Sequence, residues 1–218
     1  MRAIFEQELS QVGEGLHRMA TQVQDAVQLA SQSLASADLQ AAEQVIQADD
    51  AIDAIERDLD ERCVMLLARQ QPVATDLRVI VTALRISASI ERMGDLARHI
   101  AQVTRMRFPE QAIPEQAQQI FAELAQSATA VAANVVELLD SHDVALAAQI
   151  EADDDVLDQL HQRTFAITLS QDWNGTVGQT VDVTLLARFY ERFGDHAVSV
   201  AQRISYLVTG ELEAPAAG

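Results

Sequence analysis

The sequence has few of the residues that build sheets, turns and disulfides. Among 218 residues there are one cysteine, four prolines and eight glycines, and aromatic residues make up 4%. The single cysteine, Cys63, excludes an intramolecular disulfide and lies in an apolar run, which indicates a buried, inert thiol. Because aromatics are so scarce, the core must be aliphatic, which favours packed helices over a sheet.

Positive charge and long hydrophobic runs are also scarce. Lysine and arginine together number 15 against 33 aspartates and glutamates, for a net charge of -18. Such a surface repels nucleic acid and anionic lipid, so neither nucleic acid binding nor membrane insertion is expected. It suits cations or a basic patch on another protein. No run approaches the roughly 18 apolar residues of a membrane span, and no apolar signal core follows Met1, so we expect a cytoplasmic location.

Between the clusters of glycine and proline, apolar residues recur at helical spacing. This spacing predicts an all-α fold of six long helices joined by short connections. Asp38 is the expected N-cap of the second helix and Thr75 that of the third, while Asn174, Gly175 and Gly178 mark a turn before the sixth. The predicted helices cover about 5–35, 38–70, 75–106 and 115–140, a fifth opens near 143, and a sixth ends near 210.

The two halves of the sequence repeat each other. The segment 91–95, Glu-Arg-Met-Gly-Asp, is matched by Glu-Arg-Phe-Gly-Asp at 191–195. Seven residues from Ser36 to Asp53, in and just before the second helix, recur 105 positions later, and the difference of five is expected in the turn after that helix. We therefore predict two related three-helix bundles, 1–108 and 109–210, followed by a disordered tail, 211–218.

Each predicted bundle carries two pairs of acids spaced four residues apart. That spacing places both carboxylates on one helical face with Cβ atoms roughly 5–6 Å apart, where like charges repel unless a cation lies between them. Carboxylate oxygens suit Mg²⁺, Ca²⁺ and Mn²⁺ and can bridge iron or zinc ions. The pairs are Asp49/Asp53 and Glu91/Asp95 in the first bundle, and Asp154/Asp158 and Glu191/Asp195 in the second.

The helical phase places these acids opposite the apolar stripes, on the surface or in a shallow groove. A solvated acidic face with ordinary salt bridges to neighbouring arginines remains the alternative to a metal site. Gly94 and Gly194 lie mid-helix, where each costs roughly 1 kcal/mol relative to alanine. Close helix–helix packing is the favoured explanation for both glycines, and close backbone approach beside the acids is the alternative.

The duplicated Glu-Arg-(apolar)-Gly-Asp segment resembles the PhoU family. So do Asp49-x-x-Ile52-Asp53 and Asp76-Leu77-Arg78, and the resemblance covers nearly the whole chain. It implies two related three-helix bundles and a regulatory role rather than an enzymatic one. Proteins of this family are accessory to the high-affinity phosphate ABC transporter and link it to a membrane sensor histidine kinase, holding the phosphate-starvation response off when phosphate is plentiful.

The resemblance also implies partners and ligands. The partners would be the ATPase subunit of the transporter and the sensor histidine kinase, and the chain would form a homodimer. Some family members carry multinuclear iron or zinc clusters and others bind Mg²⁺ or Mn²⁺. The implied metal ligands are Asp49, Asp53, Glu91, Asp95, Asp154, Asp158, Glu191 and Asp195.

One departure from the family pattern concerns the fourth residue after the motif's aspartate. The family often has asparagine there, whereas this chain has His99 in the first bundle and Ser199 in the second. An imidazole is a good zinc or iron ligand, but an exposed histidine beside an acid is the favoured interpretation of His99. Arg98 lies beside the first acid pair where the second has Val198, so the two sites are expected to differ in cation affinity.

Two other functions stay open at this stage. A carboxylate-bridged metalloenzyme of the ferritin-like kind needs two Glu-x-x-His motifs, and only Glu14-x-x-His17 is present, with no nucleophile motif or glycine-rich phosphate loop. A purely structural helical module would bind no metal, and its acids would serve only for solubility.

Overall fold

The computed structural model describes residues 2–211, with side chains from residue 4 on, and contains six helices and no strand in that range. This confirms the predicted all-α class. The predicted disordered tail lies, apart from its first residue, outside the described residues. None of the six helices is both long and apolar enough to cross a membrane. The helices are α1 (Arg2–Ser36), α2 (Leu39–Gln70), α3 (Thr75–Arg107), α4 (Glu115–Ser141), α5 (Val144–Thr168) and α6 (Val177–Thr209).

The helices begin largely where the sequence predicts. Asp38 caps α2, with its carboxylate accepting hydrogen bonds from the backbone N–H groups of residues 40 and 41, and Asp143 caps α5 by accepting one from the N–H group of residue 145. Two expected helix starts are wrong. Thr75 does not cap α3 but is its first residue, and Gly178, expected in a turn, lies in the first turn of α6 because a capping box at Thr176 starts that helix earlier.

The six helices pack as two groups of three that meet through two helix pairs. Helices α1, α2 and α3 contact one another, as do α4, α5 and α6, and the groups meet where α1 packs on α4 and α3 on α6. The α3–α6 pair is antiparallel: His99 lies against Phe189, and Arg107 reaches Asp182 with Nε–Oδ2 2.6 Å. The proposed boundary between residues 108 and 109 stays a prediction.

A single aliphatic core runs through both groups. Cys63 is buried, and burial raises its thiol pKa to about 11, in line with an inert thiol. The stripes that the helical phase predicts to point inward are at most 1% exposed, which confirms the phase. They are Ile86, Met93, Ala97 and Ile100 on α3, and Leu186, Phe193, Ala197 and Val200 on α6.

The sequence suggests that the five-residue difference between the halves lies in one turn. In the structure the difference also involves a helix. Helix α5 has 25 residues against 32 in α2, and the connection that follows it, 169–176, is longer than the corresponding connection, 71–74. In the second group, residues that correspond to the end of α2 therefore lie in the loop after α5. The acid pairs lie away from this end, so their helical register is unaffected.

Candidate functional site

The acids of the first group meet across the α2–α3 contact. Arg98 Nη1 lies 3.0 Å from Asp49 Oδ2, and its other terminal nitrogen pairs with Asp95. The pKa of Glu91 is raised by burial and then by the negative charges of Asp95 and, more weakly, Asp53. The charges of Asp53 and Asp95 also raise the pKa of Asp49, so the four predicted ligands of this group lie near one another.

Arginines neutralise much of this first cluster. Asp49 is only 5% exposed. Burial raises its pKa, and the Arg98 guanidinium acts in the opposite direction. Arg92 reaches Asp95 at 2.9 Å and Glu91 at 3.4 Å from the exposed side. The expected salt bridges from Arg92 and Arg98 to Asp95 are thus confirmed.

A groove of about 480 Å³ opens beside Glu91, between α2, α3 and α6. Both acidic and basic side chains line the groove. It adjoins the α3–α6 contact, because one lining residue, His196, comes from α6. Its lining residues are Asp53, Glu56, Arg57, Ala88, Ser89, Glu91, Arg92 and His196.

The acids of the second group have fewer basic partners. Burial, followed by the charges of Asp158 and Asp195, raises the pKa of Asp154 to about 7. The Oδ1 atom of Asp154 is buried and has no hydrogen-bond partner. Glu191 is 8% exposed; Arg188 pairs with its Oε1, whereas its Oε2 is buried without a partner. Two carboxylate oxygens are thus left without the partners that buried polar atoms normally have.

The two mid-helix glycines have different neighbours. A Cβ on Gly94 would lie 3.2 Å from the Ile52 side chain, so this glycine permits close helix packing, as favoured from the sequence. A Cβ on Gly194 would overlap Asp154 Oδ1 and lie 2.8 Å from Leu157 Cδ1. Both neighbours belong to α5, so Gly194 also permits close helix packing, and the missing side chain leaves the Asp154 carboxylate room against the α6 backbone.

The structure corrects two expectations about exposure. Asp49 and Glu191 were expected on the surface or in a shallow groove, and both are buried because α2 packs against α3, and α5 against α6, over the face that bears the acids. His99 was expected to be exposed. It is partly buried in the α3–α6 contact, with its ring centroid 5.3 Å from that of Phe189.

Sequence reasoning missed one position in each group. Glu56 lies three residues after Asp53, lines the groove and contributes to the raised pKa of Glu91. The residue 105 positions later is His161, three residues after Asp158. Burial and then the charge of Arg188 lower the pKa of His161, and the charge of Asp158 acts in the opposite direction. The spacing of 49, 53 and 56 on one helical face was the available signal, since residues three and four apart are neighbours on a helix.

A sequence model described as the PhoU domain matches two segments of the chain, residues 16–104 and 121–204. The chain belongs to the PhoU family. It is 43% identical over 210 residues to the phosphate-specific transport system accessory protein PhoU homolog 2 of Mycobacterium tuberculosis, covering 96% of this chain and 99% of that protein. It is 39% identical over 212 residues to homolog 1 of the same organism, covering 97% and 96%.

Solved PhoU structures have the same fold. The crystal structure of PhoU from Pseudomonas aeruginosa superposes with a TM-score of 0.87 at 27% identity, covering 95% of this chain and 100% of that one. The regulatory protein PhoU from Streptococcus pneumoniae superposes with a TM-score of 0.86 at 24% identity, covering 96% and 99%. The PhoU fold is thus established for the described residues.

The acid clusters can be compared with what a bound cation requires. Among the described side chains, no three carboxylate, imidazole or thiol groups stand close enough together, as oriented, to hold one ion. The second cluster nevertheless offers carboxylate oxygens, the ligand atoms that hard cations prefer. Two of its buried oxygens lack hydrogen-bond partners, and Gly194 leaves room for the Asp154 carboxylate. The first cluster fits less well, because Arg98 already pairs with Asp49 and Asp95.

Proposed function

We propose that the protein regulates phosphate uptake and phosphate signalling as an accessory protein of a phosphate-specific transport system. The observation that carries this proposal is the 43% identity over nearly the whole length of a protein named as such an accessory protein. The shared fold of a protein described as a phosphate transport system regulatory protein supports it at the level of architecture.

The proposed mechanism is contact with other proteins rather than catalysis. The chain would bind the ATPase subunit of the phosphate ABC transporter and the cytoplasmic part of a sensor histidine kinase, and would hold the starvation response off when phosphate is plentiful. Its net charge of -18 suits basic docking surfaces on those partners. We propose a cytoplasmic location and a homodimeric state, both on the ground of membership in the PhoU family.

We also propose that the acid clusters bind divalent cations, Mg²⁺, Mn²⁺, Zn²⁺ or Fe²⁺, singly or as multinuclear clusters. The support is the choice of residues together with the unpartnered oxygens of Asp154 and Glu191. Because the carboxylates do not converge as oriented, binding requires their side chains to turn toward the ion. The ligands would come from Asp49, Asp53, Glu91, Asp95, Asp154, Asp158, Glu191 and Asp195.

Binding to the purified ATPase subunit and to the kinase's cytoplasmic domain tests the adaptor role, measured by calorimetry with and without Mn²⁺. We expect wild-type protein to bind at least one of them, and the quadruple alanine variant of Glu91, Asp95, Glu191 and Asp195 to bind at least about tenfold more weakly. A quadruple alanine variant of the exposed acids Asp60, Glu61, Glu115 and Glu137 changes the net charge equally and should retain binding. Failure of the wild-type protein to bind both the ATPase subunit and the kinase domain would contradict the proposal.

A further inference from the structure

A cavity of about 250 Å³ lies where the two groups of helices meet, and none of the predicted metal ligands lines it. Its walls come from α1, from the connection before α4, from α4 and from α6. A molecule inside it would therefore contact both groups at once. An apolar cavity of about 150 Å³ is already large enough to bind benzene. This cavity thus has room for a ring of that size with a few further atoms.

The cavity has apolar walls and no charged residue. Leu34, Ile113 and Phe121 line it and are each at most 5% exposed. None of the ten lining residues is charged at neutral pH, although 22% of the chain is charged. A carboxylate, phosphate or ammonium group that entered would lose hydration without gaining an ion pair. The walls therefore favour an uncharged molecule with an apolar body.

One hydroxyl inside the cavity keeps unused hydrogen-bonding capacity. Ser31 is 8% exposed, and its hydroxyl oxygen lies 2.8 Å from that of Tyr190, which is fully buried. Their mutual bond uses one of the two hydroxyl protons, and neither hydroxyl has another partner among the described residues. Ser31 Oγ is therefore held in one place and can still bond to a polar atom of a ligand. Such a fixed polar group in an apolar pocket is what orients small ligands.

The mouth of the cavity is also uncharged. Gln111 and Gln118 lie exposed at this edge, where the side-chain amide of Gln118 donates a hydrogen bond of 3.0 Å to Gln111 Oε1. Ala35 and Ala122 are exposed beside them, and their short side chains leave a way in from solvent.

The other half of the molecule lacks these polar groups. The residue 100 positions before Tyr190 is Ile90, and the residue 105 positions after Ser31 is Val136. Neither of these side chains has a polar atom. The three-helix unit therefore forms without such a hydroxyl pair, so the architecture alone does not require Ser31 and Tyr190 at the cavity.

We propose that this cavity binds a small uncharged molecule with an apolar body about the size of benzene and one hydroxyl or carbonyl group. The apolar body packs against Leu34, Ile113 and Phe121, and the polar group forms a hydrogen bond with Ser31 Oγ. The ligand contacts both helix groups and thereby stabilises their junction. This site is separate from the adaptor role and from the cation binding proposed above.

Titration with 4-fluorophenol, followed by fluorine NMR, tests the site. We expect saturable binding with a dissociation constant of about 1 mM or lower, and no saturable binding of 4-fluorobenzoate, a negatively charged molecule of similar size. Ala125→Phe places a ring in the cavity and should weaken 4-fluorophenol binding at least about tenfold. Ala133→Phe is the matched control, because Ala133 is another partly buried alanine of α4 that does not line the cavity, and it should retain binding.

The hydroxyl contact is tested with a second variant. Ser31→Ala should weaken binding of 4-fluorophenol about 3–10-fold and leave the affinity for fluorobenzene, which has no hydroxyl, unchanged. Absence of saturable 4-fluorophenol binding by the wild type, or equal binding of the phenol and the benzoate, would overturn the proposal. Unchanged affinity in Ala125→Phe would overturn it as well. If that variant does not fold, an equal effect of Ser31→Ala on both uncharged probes decides against the proposal, while partner binding still reports separately on the adaptor role.

Discussion

At the scale of single residues, burial and charge have different effects in the two acid clusters. Asp49 is buried and paired with Arg98, whereas Asp154 is partly buried with an unpartnered oxygen and a pKa of about 7. A carboxyl group with so high a pKa is partly protonated near neutral pH. The second cluster is therefore the more sensitive of the two to pH.

Asp154 gives a pH dependence with a defined sign. Its folded pKa, about 7, lies above its ordinary value of 3.8, so the stability it contributes is complete below about pH 4 and is lost as pH rises through about 7. We expect Asp154→Asn to raise the melting temperature of metal-free protein more at pH 8 than at pH 5, measured by scanning calorimetry with chelator present. Glu137→Gln, at an exposed position, controls for the loss of one negative charge. An equal effect at both pH values would contradict the prediction.

The two glycines predict unequal costs for the same substitution. In Gly194→Ala the new Cβ overlaps the Asp154 carboxylate and crowds Leu157, so we expect a loss of about 1–3 kcal/mol in the free energy of unfolding. In Gly94→Ala the contact with Ile52 is looser and the gain in helix propensity offsets it, leaving a change within about 1 kcal/mol. Urea unfolding measures both, and a larger loss at position 94 would refute this assignment.

The sequence predicted the positions of the acid pairs on their helices more completely than it predicted their environments. Spacing alone placed Asp49 and Asp53, or Glu91 and Asp95, on one face, because helical geometry is local. It could not show that Arg98 reaches across to another helix, since that contact depends on how α2 and α3 pack. Burial of Asp49 was missed for the same reason.

At the scale of helices, a buried hydrogen bond joins the two groups. Tyr190 on α6 is fully buried, and its hydroxyl lies 2.8 Å from the Ser31 hydroxyl on α1. Burial raises the phenol pKa to about 12, so the group stays protonated and can donate. The residue 100 positions earlier is Ile90, whose side chain has no polar atom. The first group therefore cannot form the corresponding hydrogen bond.

A double-mutant cycle measures this link. Ser31→Ala leaves the buried Tyr190 hydroxyl without a partner and should cost about 1–3 kcal/mol of unfolding free energy. Tyr190→Phe should cost about 1 kcal/mol, and the double variant should cost less than the sum of the two, because no polar atom is then left unpaired. Strict additivity in urea unfolding would show that the bond between the two hydroxyls does not stabilise the junction of the two helix groups.

Helix ends were predictable to the extent that side chains determine them. Asp38 caps α2 as the sequence indicates, and Asp143 caps α5 where the sequence indicates only that a helix begins, because a carboxylate reaches the first free N–H groups without help from the rest of the fold. The start of α3 was misassigned because its preceding residue, Ala74, takes a positive φ of 51° and supplies no side-chain cap. The tertiary fold therefore determines where α3 begins.

At the scale of the whole molecule, the net charge of -18 opposes compaction. We expect the melting temperature of metal-free protein to rise as NaCl increases from 20 to 200 mM, by about 2–4 °C for each kcal/mol of repulsion relieved. Millimolar Mn²⁺ should raise it further at constant ionic strength, and less in Asp154→Asn. A melting temperature that falls with added salt would show that attractive ion pairs outweigh the repulsion.

The regulatory role is tested most directly in the organism that encodes the chain, with a phosphate-starvation reporter in a strain lacking the gene. We predict that the reporter is active in phosphate-rich medium without the gene and is silenced by the wild-type copy. The quadruple variant of Glu91, Asp95, Glu191 and Asp195 should fail to silence it, although the variant of four exposed acids succeeds. A reporter that stays silent when the gene is absent would contradict the account.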